Sequence, residues 1–266
     1  MPFFGVFCVF CFFKVLRFSV FSKKVFFKKP NHSKTLSTAE MLQYLLDENV
    51  DDLFETGELG RTPFLSACSA KSGLKKLKIL VDNDANINVK DDNSDNCLTI
   101  TACDGDSKML DFLIENGADV HKKGAGEKTA LLSACCLPGN LENLRFLLKE
   151  TDSDKKGQDS DGDNCMTLVC EFGDFMMLKC LIENGVNVDE VGFEGRTGLM
   201  KLCCEKGNSQ KIKYLLDKKA NAGKKDDSGN TALTLAVEFG DLKMIEVLLA
   251  HGVSVEQKGA EGRTAL

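Results

Sequence analysis

Gly60-Arg61-Thr62-Pro63-Phe64-Leu65-Ser66-Ala67-Cys68 returns as Glu127-Lys128-Thr129-Ala130-Leu131-Leu132-Ser133-Ala134-Cys135 and again as Gly195-Arg196-Thr197-Gly198-Leu199-Met200-Lys201-Leu202-Cys203. It begins once more at Gly262-Arg263-Thr264-Ala265-Leu266, and related segments start between these at Asn96, Asn164 and Thr231. The anchors Thr62, Asn96, Thr129, Asn164, Thr197, Thr231 and Thr264 are separated by 34, 33, 35, 33, 34 and 33 residues. Seven anchors this close to one period define an internal repeat, and a repeat of that length is a single supersecondary unit that buries its apolar face only by stacking on its neighbours.

Each unit reads the same way. Thr or Asn at the anchor suits a helix N-cap, because its side-chain oxygen accepts a free backbone N–H. A short apolar helix follows, as in Leu98 to Ala102 or Leu233 to Val237, then a loop containing Gly105, Gly139, Gly173, Gly207 or Gly240. The second helix carries apolar residues three and four apart: Met109, Leu110, Phe112, Leu113 and Ile114 in one unit, Met177, Leu178, Cys180, Leu181 and Ile182 in another. Gly117, Gly185 and Gly252 stand where a helix C-terminus takes a left-handed residue. A polar segment leads to the next anchor.

The period, the Thr-Pro-Leu-like openings, the paired leucines and endings such as Asn116-Gly117-Ala118-Asp119-Val120 and Asn184-Gly185-Val186-Asn187-Val188 resemble the ankyrin repeat over residues 37–266. The resemblance implies an all-α fold, a solenoid of stacked helix-turn-helix units with β-hairpin-like tips. Two departures stand out. The family's His three residues after the anchor is replaced by Leu65, Leu132 and Met200 in odd repeats and by Thr99, Thr167 and Thr234 in even ones. Asp84, Thr151 and Lys219 occupy the helix-ending Gly position of odd repeats, where a non-Gly residue in left-handed conformation costs about 1 kcal/mol. Odd and even repeats also differ at their tips. Odd tips read Gly-x-x-Gly-Arg, as in Gly57 to Arg61 and Gly192 to Arg196, whereas even tips are acid runs at Asp91–Asp95, Asp159–Asp163 and Asp226-Asp227. We read a second period of about 67 residues, the mark of duplication of a two-repeat block.

The domain organisation expected from this pattern has three parts. Residues 1–34 are a Phe/Lys-rich segment with seven basic residues and no acid. Residues 35–56 form an N-terminal half-repeat cap, with Ser37-x-x-Glu40 as a capping box ahead of Met41-Leu42-x-Tyr44-Leu45-Leu46. Residues 57–266 hold six full repeats and a truncated seventh. No polar-faced cap follows the sixth repeat, which leads us to expect a longer native product or a fragment. The N-terminal segment admits three readings: membrane association, a non-standard signal or anchor, or a disordered or mis-called start. Its apolar run from Met1 to Phe13 is shorter than the roughly 20 residues of a membrane span, and its charge follows the apolar run, opposite to a signal peptide.

Charge and cysteine usage exclude some functions. The body after residue 34 carries 27 basic against 40 acidic residues, which argues against nucleic acid as a ligand. Ten of 12 cysteines lie after residue 60, mostly inside apolar helical stretches, so we read them as core residues of a cytoplasmic protein in a reducing compartment, membrane attachment being open only through residues 1–34. Cys68, Cys135, Cys170 and Cys203 share one small core position, spaced too far apart for disulfides. Asp152-x-Asp154-x-Lys156-Gly157 loosely mimics a calcium loop but puts Lys at a ligand position, and the three histidines are scattered, so no metal and no cofactor is expected. Neither G-x-S-x-G nor a P-loop is present, and the acid pairs sit on tips expected to be exposed, with nothing to raise a pKa; the chain reads as no enzyme.

What remains is surface. Partners of the resembled family contact the hairpin tips and the exposed end of the first helix. Carried onto this chain, the candidate partner-binding residues are Asp92, Asp95, Asp104, Asp161, Asp163, Glu171, Phe172, Phe193, Glu194, Arg196, Asp227, Glu238 and Phe239. Aromatic rings among acids suit a protein partner with basic and apolar features, against the plainer reading that Phe172 and Phe239 pack on the next repeat's loop. The expected function is a protein–protein interaction scaffold; the alternative is the targeting region of a larger enzyme or signalling protein.

Overall fold

A computed structural model describes residues 38–47, 56–71, 73–151, 155–262 and 264. The N-terminal segment, Ser37 of the proposed capping box, and Asp152 and Asp154 of the calcium-like stretch lie outside the described residues. Thirteen α-helices run through the described chain: α1 (Thr38–Asp47), then six pairs, α2 (Pro63–Cys68) with α3 (Leu74–Asp82), α4 (Cys97–Asp104) with α5 (Ser107–Glu115), α6 (Ala130–Cys135) with α7 (Leu141–Glu150), α8 (Cys165–Phe172) with α9 (Phe175–Glu183), α10 (Gly198–Cys203) with α11 (Ser209–Asp217), and α12 (Ala232–Phe239) with α13 (Leu242–Ala250). First helices stack on first helices from α2 to α12, and second helices stack on second helices behind them. α1 packs against α3, in the second-helix layer. Phe175 of α9 and Tyr214 of α11 meet edge to face at 5.2 Å.

The anchors act as the sequence implies. Thr62, Thr129 and Thr197 each accept one backbone N–H at an odd first helix. Asn96, Asn164 and Thr231 go further and close full capping boxes with Thr99, Thr167 and Thr234, the residues at the position of the family's His. Odd repeats, with Leu65, Leu132 and Met200 at that position, have no such box and bury the side chain instead. The two repeat types also turn differently between helices. Even repeats use an eight-residue first helix and a tight Gly-Asp turn whose Asp106, Asp174 or Asp241 caps the second helix. Odd repeats use a six-residue first helix and a longer loop with no side-chain cap on the second.

Second helices close by the expected left-handed residue. Gly117, Gly185 and Gly252 have φ of 90°, 79° and 80°, and the following N–H reaches back to the carbonyl five residues earlier, as from Ala118 to Leu113. Asp84 and Lys219 adopt the same conformation at φ 61° and 67° despite their side chains. Thr151 departs from expectation: its φ is −126°, and its hydroxyl donates to the Leu147 carbonyl, so the side chain supplies a cap where the backbone does not reverse. A single apolar core runs from Leu42 to Val253, built from the apolar stripes of every helix pair. Among the described residues the tips carry isolated antiparallel bridges and no strands, Lys90 with Asn96, Gln158 with Asn164 and Val191 with Thr197.

Candidate partner-binding surface

The tips are built from two alternating turns. At each even tip a buried Asp organises the loop. Asp91 Oδ1 accepts the N–H of Asn93 and Asp95, Asp159 Oδ1 that of Asp161 and Asp163, and Asp226 Oδ1 that of Ser228 and Asn230. The other oxygen faces a cation from the preceding odd tip: Arg61 at 3.2 Å, Lys128 at 3.5 Å and Arg196 at 3.4 Å. The acid runs are therefore not uniformly solvated, as their position in the sequence suggests; one carboxylate in each is the scaffold of its turn.

Each odd tip is a single 3-10 turn with two consecutive left-handed residues, Leu59-Gly60, Gly126-Glu127 and Glu194-Gly195. That backbone aims the Leu59, Gly126 and Glu194 carbonyls at the N–H of Asp92, Ser160 and Asp227 on the next tip. Gly60 and Gly195 must be glycine for a second reason: a Cβ there would meet the Asp92 or Asp227 side chain at 2.2 or 2.3 Å. In the other direction, from even to odd, Asp95 Oδ1 accepts the Ala125 N–H at 3.2 Å and Asp163 Oδ1 the Phe193 N–H at 3.1 Å. Adjacent tips are thus laced together along the stack.

The structure distributes the candidate residues over three environments. Asp92, Asp104, Asp161, Asp227 and Glu238 are exposed, as are Phe193 and Phe239, at 41% and 46%. Asp95, Glu171, Glu194 and Arg196 are half-buried; Arg196 spans Glu194 at 3.1 Å and Asp226 at 3.4 Å. Phe172 is half-buried against the core. Asp163 is buried and has two internal partners, the Phe193 N–H and an ammonium. Partial desolvation by its neighbours raises the Asp104 carboxyl, with Arg61 opposing the shift and Asp95 adding to it.

That ammonium belongs to Lys201, which sequence reasoning did not single out. Lys201 lies on α10, and its Nζ donates to Asp163 Oδ2 at 3.1 Å and Glu171 Oε2 at 2.8 Å while standing 5.8 Å from the centre of the Phe193 ring. Burial alone would lower its pKa, but the two carboxylates outweigh it and hold the ammonium charged above its usual range. Three candidates from two repeats, Asp163, Glu171 and Phe193, are gathered by this one lysine. The available signal was Lys201 itself, a charge at a position occupied by Ser66 and Ser133 in the other odd repeats.

The same face offers little chemistry. Among the described residues no three His, Cys, Asp or Glu side chains converge to hold a metal. All ten described cysteines are free. Burial pushes the Cys97 thiol up to about 11 and Cys170 to about 12, far from the thiolate that a nucleophile needs. Burial also pushes the Cys135 thiol up, with Cys165 at the start of α8 adding to the shift. The two carboxyls raised by desolvation lie apart, Asp104 at the end of α4 and Glu190 on the loop after α9.

Comparison with known proteins places these features. The family model described as ankyrin repeats in three copies matches residues 68–159, 135–218 and 165–259. An ankyrin repeat and KH domain-containing protein of Caenorhabditis elegans is 26% identical over 76% of this chain and 8% of its own length. A putative ankyrin repeat protein of Acanthamoeba polyphaga mimivirus is 32% identical over 58% of this chain and 39% of its own. The human transient receptor potential cation channel subfamily A member 1 is 24% identical over 79% and 16%. The chain thus spans well under half the length of each of these curated relatives. Among solved structures, the human ASB11 ankyrin repeat domain superposes with a TM-score of 0.66 at 23% identity, over 77% of this chain and 90% of that one.

Proposed function

The chain belongs to the ankyrin repeat family, and we propose that it acts as a protein–protein interaction module, binding through the face formed by its tips and first helices. One observation carries this reading: Phe193 and Phe239 expose apolar rings beside Glu194, Asp227 and Glu238 on that face. Moving an exposed aromatic ring from water into a partner's pocket is favourable, and buried aromatic anchors are frequent in interfaces. The surrounding acids favour a partner with basic residues around an apolar anchor, and steer it at a rate that falls with salt. A reducing compartment suits the free cysteines. No described helix is long and apolar enough to cross a membrane.

A second reading, the targeting region of a longer enzyme or signalling protein, is favoured by the share of the curated relatives that the chain spans, between 8% and 39%. The test of the first reading is partner recovery by proximity labelling in cells, followed by titration of the recovered protein against the wild type and a Phe193→Ala/Phe239→Ala variant. Binding weakened at least about tenfold, with unchanged thermal unfolding, supports the assignment. Equal binding by both proteins overturns it.

A further inference from the structure

The Lys201 site has a duplicate two repeats earlier, and the duplicate is missing its cation. With a shift of 68 residues, Asp163, Glu171, Phe193 and Lys201 correspond to Asp95, Cys103, Ala125 and Ser133. The frame is the same in both places. Asp95 Oδ1 accepts the Ala125 N–H just as Asp163 Oδ1 accepts that of Phe193. The capping boxes Asn96–Thr99 and Asn164–Thr167 coincide. Gly124 and Gly192 both pass so close that an added Cβ would meet the carboxylate, at 2.9 and 2.4 Å.

The contents differ. At the later site Asp163 Oδ2 and Glu171 hold an ammonium under an aromatic ring. At the earlier one serine replaces the lysine, alanine the ring, and Cys103 turns its thiol toward the Ser133 carbonyl at 3.6 Å. Oδ1 of Asp95 also takes the Thr99 hydroxyl, but among the described residues no Lys or Arg pairs with this carboxylate. A second carboxylate, Asp104, stands where Phe172 does in the later copy and is itself exposed. Relative to the later site, the earlier one lacks a four-carbon stem, an ammonium, a phenyl ring and the Glu171 carboxylate, and keeps the acid corresponding to Asp163.

We propose that the face between the second and third repeats, at Asp95, Asp104, Ala125 and Ser133, is a subsite for a lysine side chain of a partner protein, with an aromatic residue of that partner beside it. The later site shows how the same frame holds an ammonium, there with Glu171 as a second carboxylate. The occupant is an ammonium rather than a metal ion, because the matching carboxylate binds one and no third ligand converges. The proposal rests on the reading of this face as a partner-binding surface and names what it receives.

The test uses the full chain, labelled for amide NMR, and an acetylated, amidated pentapeptide containing one phenylalanine and one lysine. Saturable shifts at the amides of Asp95, Ala125 and Ser133 are expected, and none from the same peptide with glutamine for lysine. Ser133→Lys supplies the ammonium from within and should weaken the peptide at least about tenfold. Asp95→Asn should do the same without disturbing the fold, since Asn230 holds this position in the sixth repeat. Lys201→Ser should add shifts at Asp163 and Phe193. No saturable shift, equal shifts from the glutamine peptide, or binding indifferent to both Ser133→Lys and Asp95→Asn would overturn the subsite. A natural partner that resists both variants but is lost on Phe193→Ala/Phe239→Ala removes the subsite and leaves the interaction surface standing.

Discussion

Replacing Asp226 by Ala isolates what the buried tip acid contributes. Its Oδ1 accepts the N–H of Ser228 at 3.1 Å and of Asn230 at 2.7 Å, and its Oδ2 pairs with Arg196 at 3.4 Å. Two hydrogen bonds to an ionised acceptor contribute about 1.5 kcal/mol or more each. The ion pair, with its guanidinium partly in water, adds at most about 1 kcal/mol. Asp226→Ala should therefore cost about 4 kcal/mol, a fall of roughly 8–16 °C in Tm if the stack unfolds as one unit. Asp226→Asn keeps an oxygen for both N–H groups and loses the acceptor that Arg196 and the Asn230 amide share at Oδ2, so about 1–2 kcal/mol is expected. Urea unfolding of the three proteins gives the two differences directly. Native-state hydrogen exchange should localise the loss to Ser228, Asn230 and Asp227, whose N–H bonds the Glu194 carbonyl. If the alanine variant costs no more than the asparagine variant, the acid serves as a charge partner and the turn does not depend on it.

Three further outcomes follow from the same geometry. Asp174 and Asp241 each cap their own helix and also accept an N–H from the preceding repeat, Gly139 or Gly207. For Asp174 burial raises the carboxyl but the hydrogen bonds to Met177, Gly139 and Met176 outweigh it; for Asp241 the Gly207 bond leads; both lie below the ordinary 3.8. A depressed acid stabilises above the unfolded pKa and loses that contribution as pH falls through the folded one, so Asp174→Ala/Asp241→Ala should lose stability at neutral pH and show a flatter decline below about pH 4; an unchanged acid limb in urea unfolding would refute this. Thr167→Val should cost about 1–2 kcal/mol by chemical denaturation, because the buried Asn164 N–H loses its acceptor, and a loss under about 0.5 kcal/mol would mean the capping box is ornamental. Gly198→Ala should destabilise by about 1–3 kcal/mol although alanine is the better helix former, since its Cβ would sit 2.7 Å from Cys170 Sγ. Adding Cys170→Ala should restore stability, because it recreates the natural pairing of Ala130 with Ala102; failure of that rescue would assign the cost elsewhere.

The repeat was legible because it rests on local physics. An anchor that caps, apolar residues three and four apart, and a glycine after the second helix are each decided within one unit. The alternation of tips was legible as composition, Gly-x-x-Gly-Arg against Asp runs. Its meaning was not, because Arg196 finds Asp226 30 residues away, and only the fold brings those distances to 3.4 Å. Lys201 was overlooked for the same reason: alone in its helix it reads as a solvated charge, yet it reaches Asp163 and Glu171 in the repeat before. Thr151 misled in another way. Position assigned it a left-handed backbone, whereas a hydroxyl can satisfy the Leu147 carbonyl without one. Exposed and buried acids within one run, such as Asp161 and Asp159, were inseparable until the turn that divides them was seen.

The alternating tips also constrain how such a stack can change length. Each of the five junctions from the first to the sixth repeat joins unlike neighbours: an Arg or Lys meets the next acid turn, and each of the Asp95 and Asp163 turns meets the next glycine turn. Losing a single repeat would set two acid turns or two glycine turns face to face, a stacking fault with a buried carboxylate facing no cation or a left-handed backbone facing no N–H. Losing or gaining a pair heals both junctions at once. Like a crystal with a two-layer repeat, the array admits only whole layers of two, so relatives that keep this chemistry should differ in size by steps of about 67 residues.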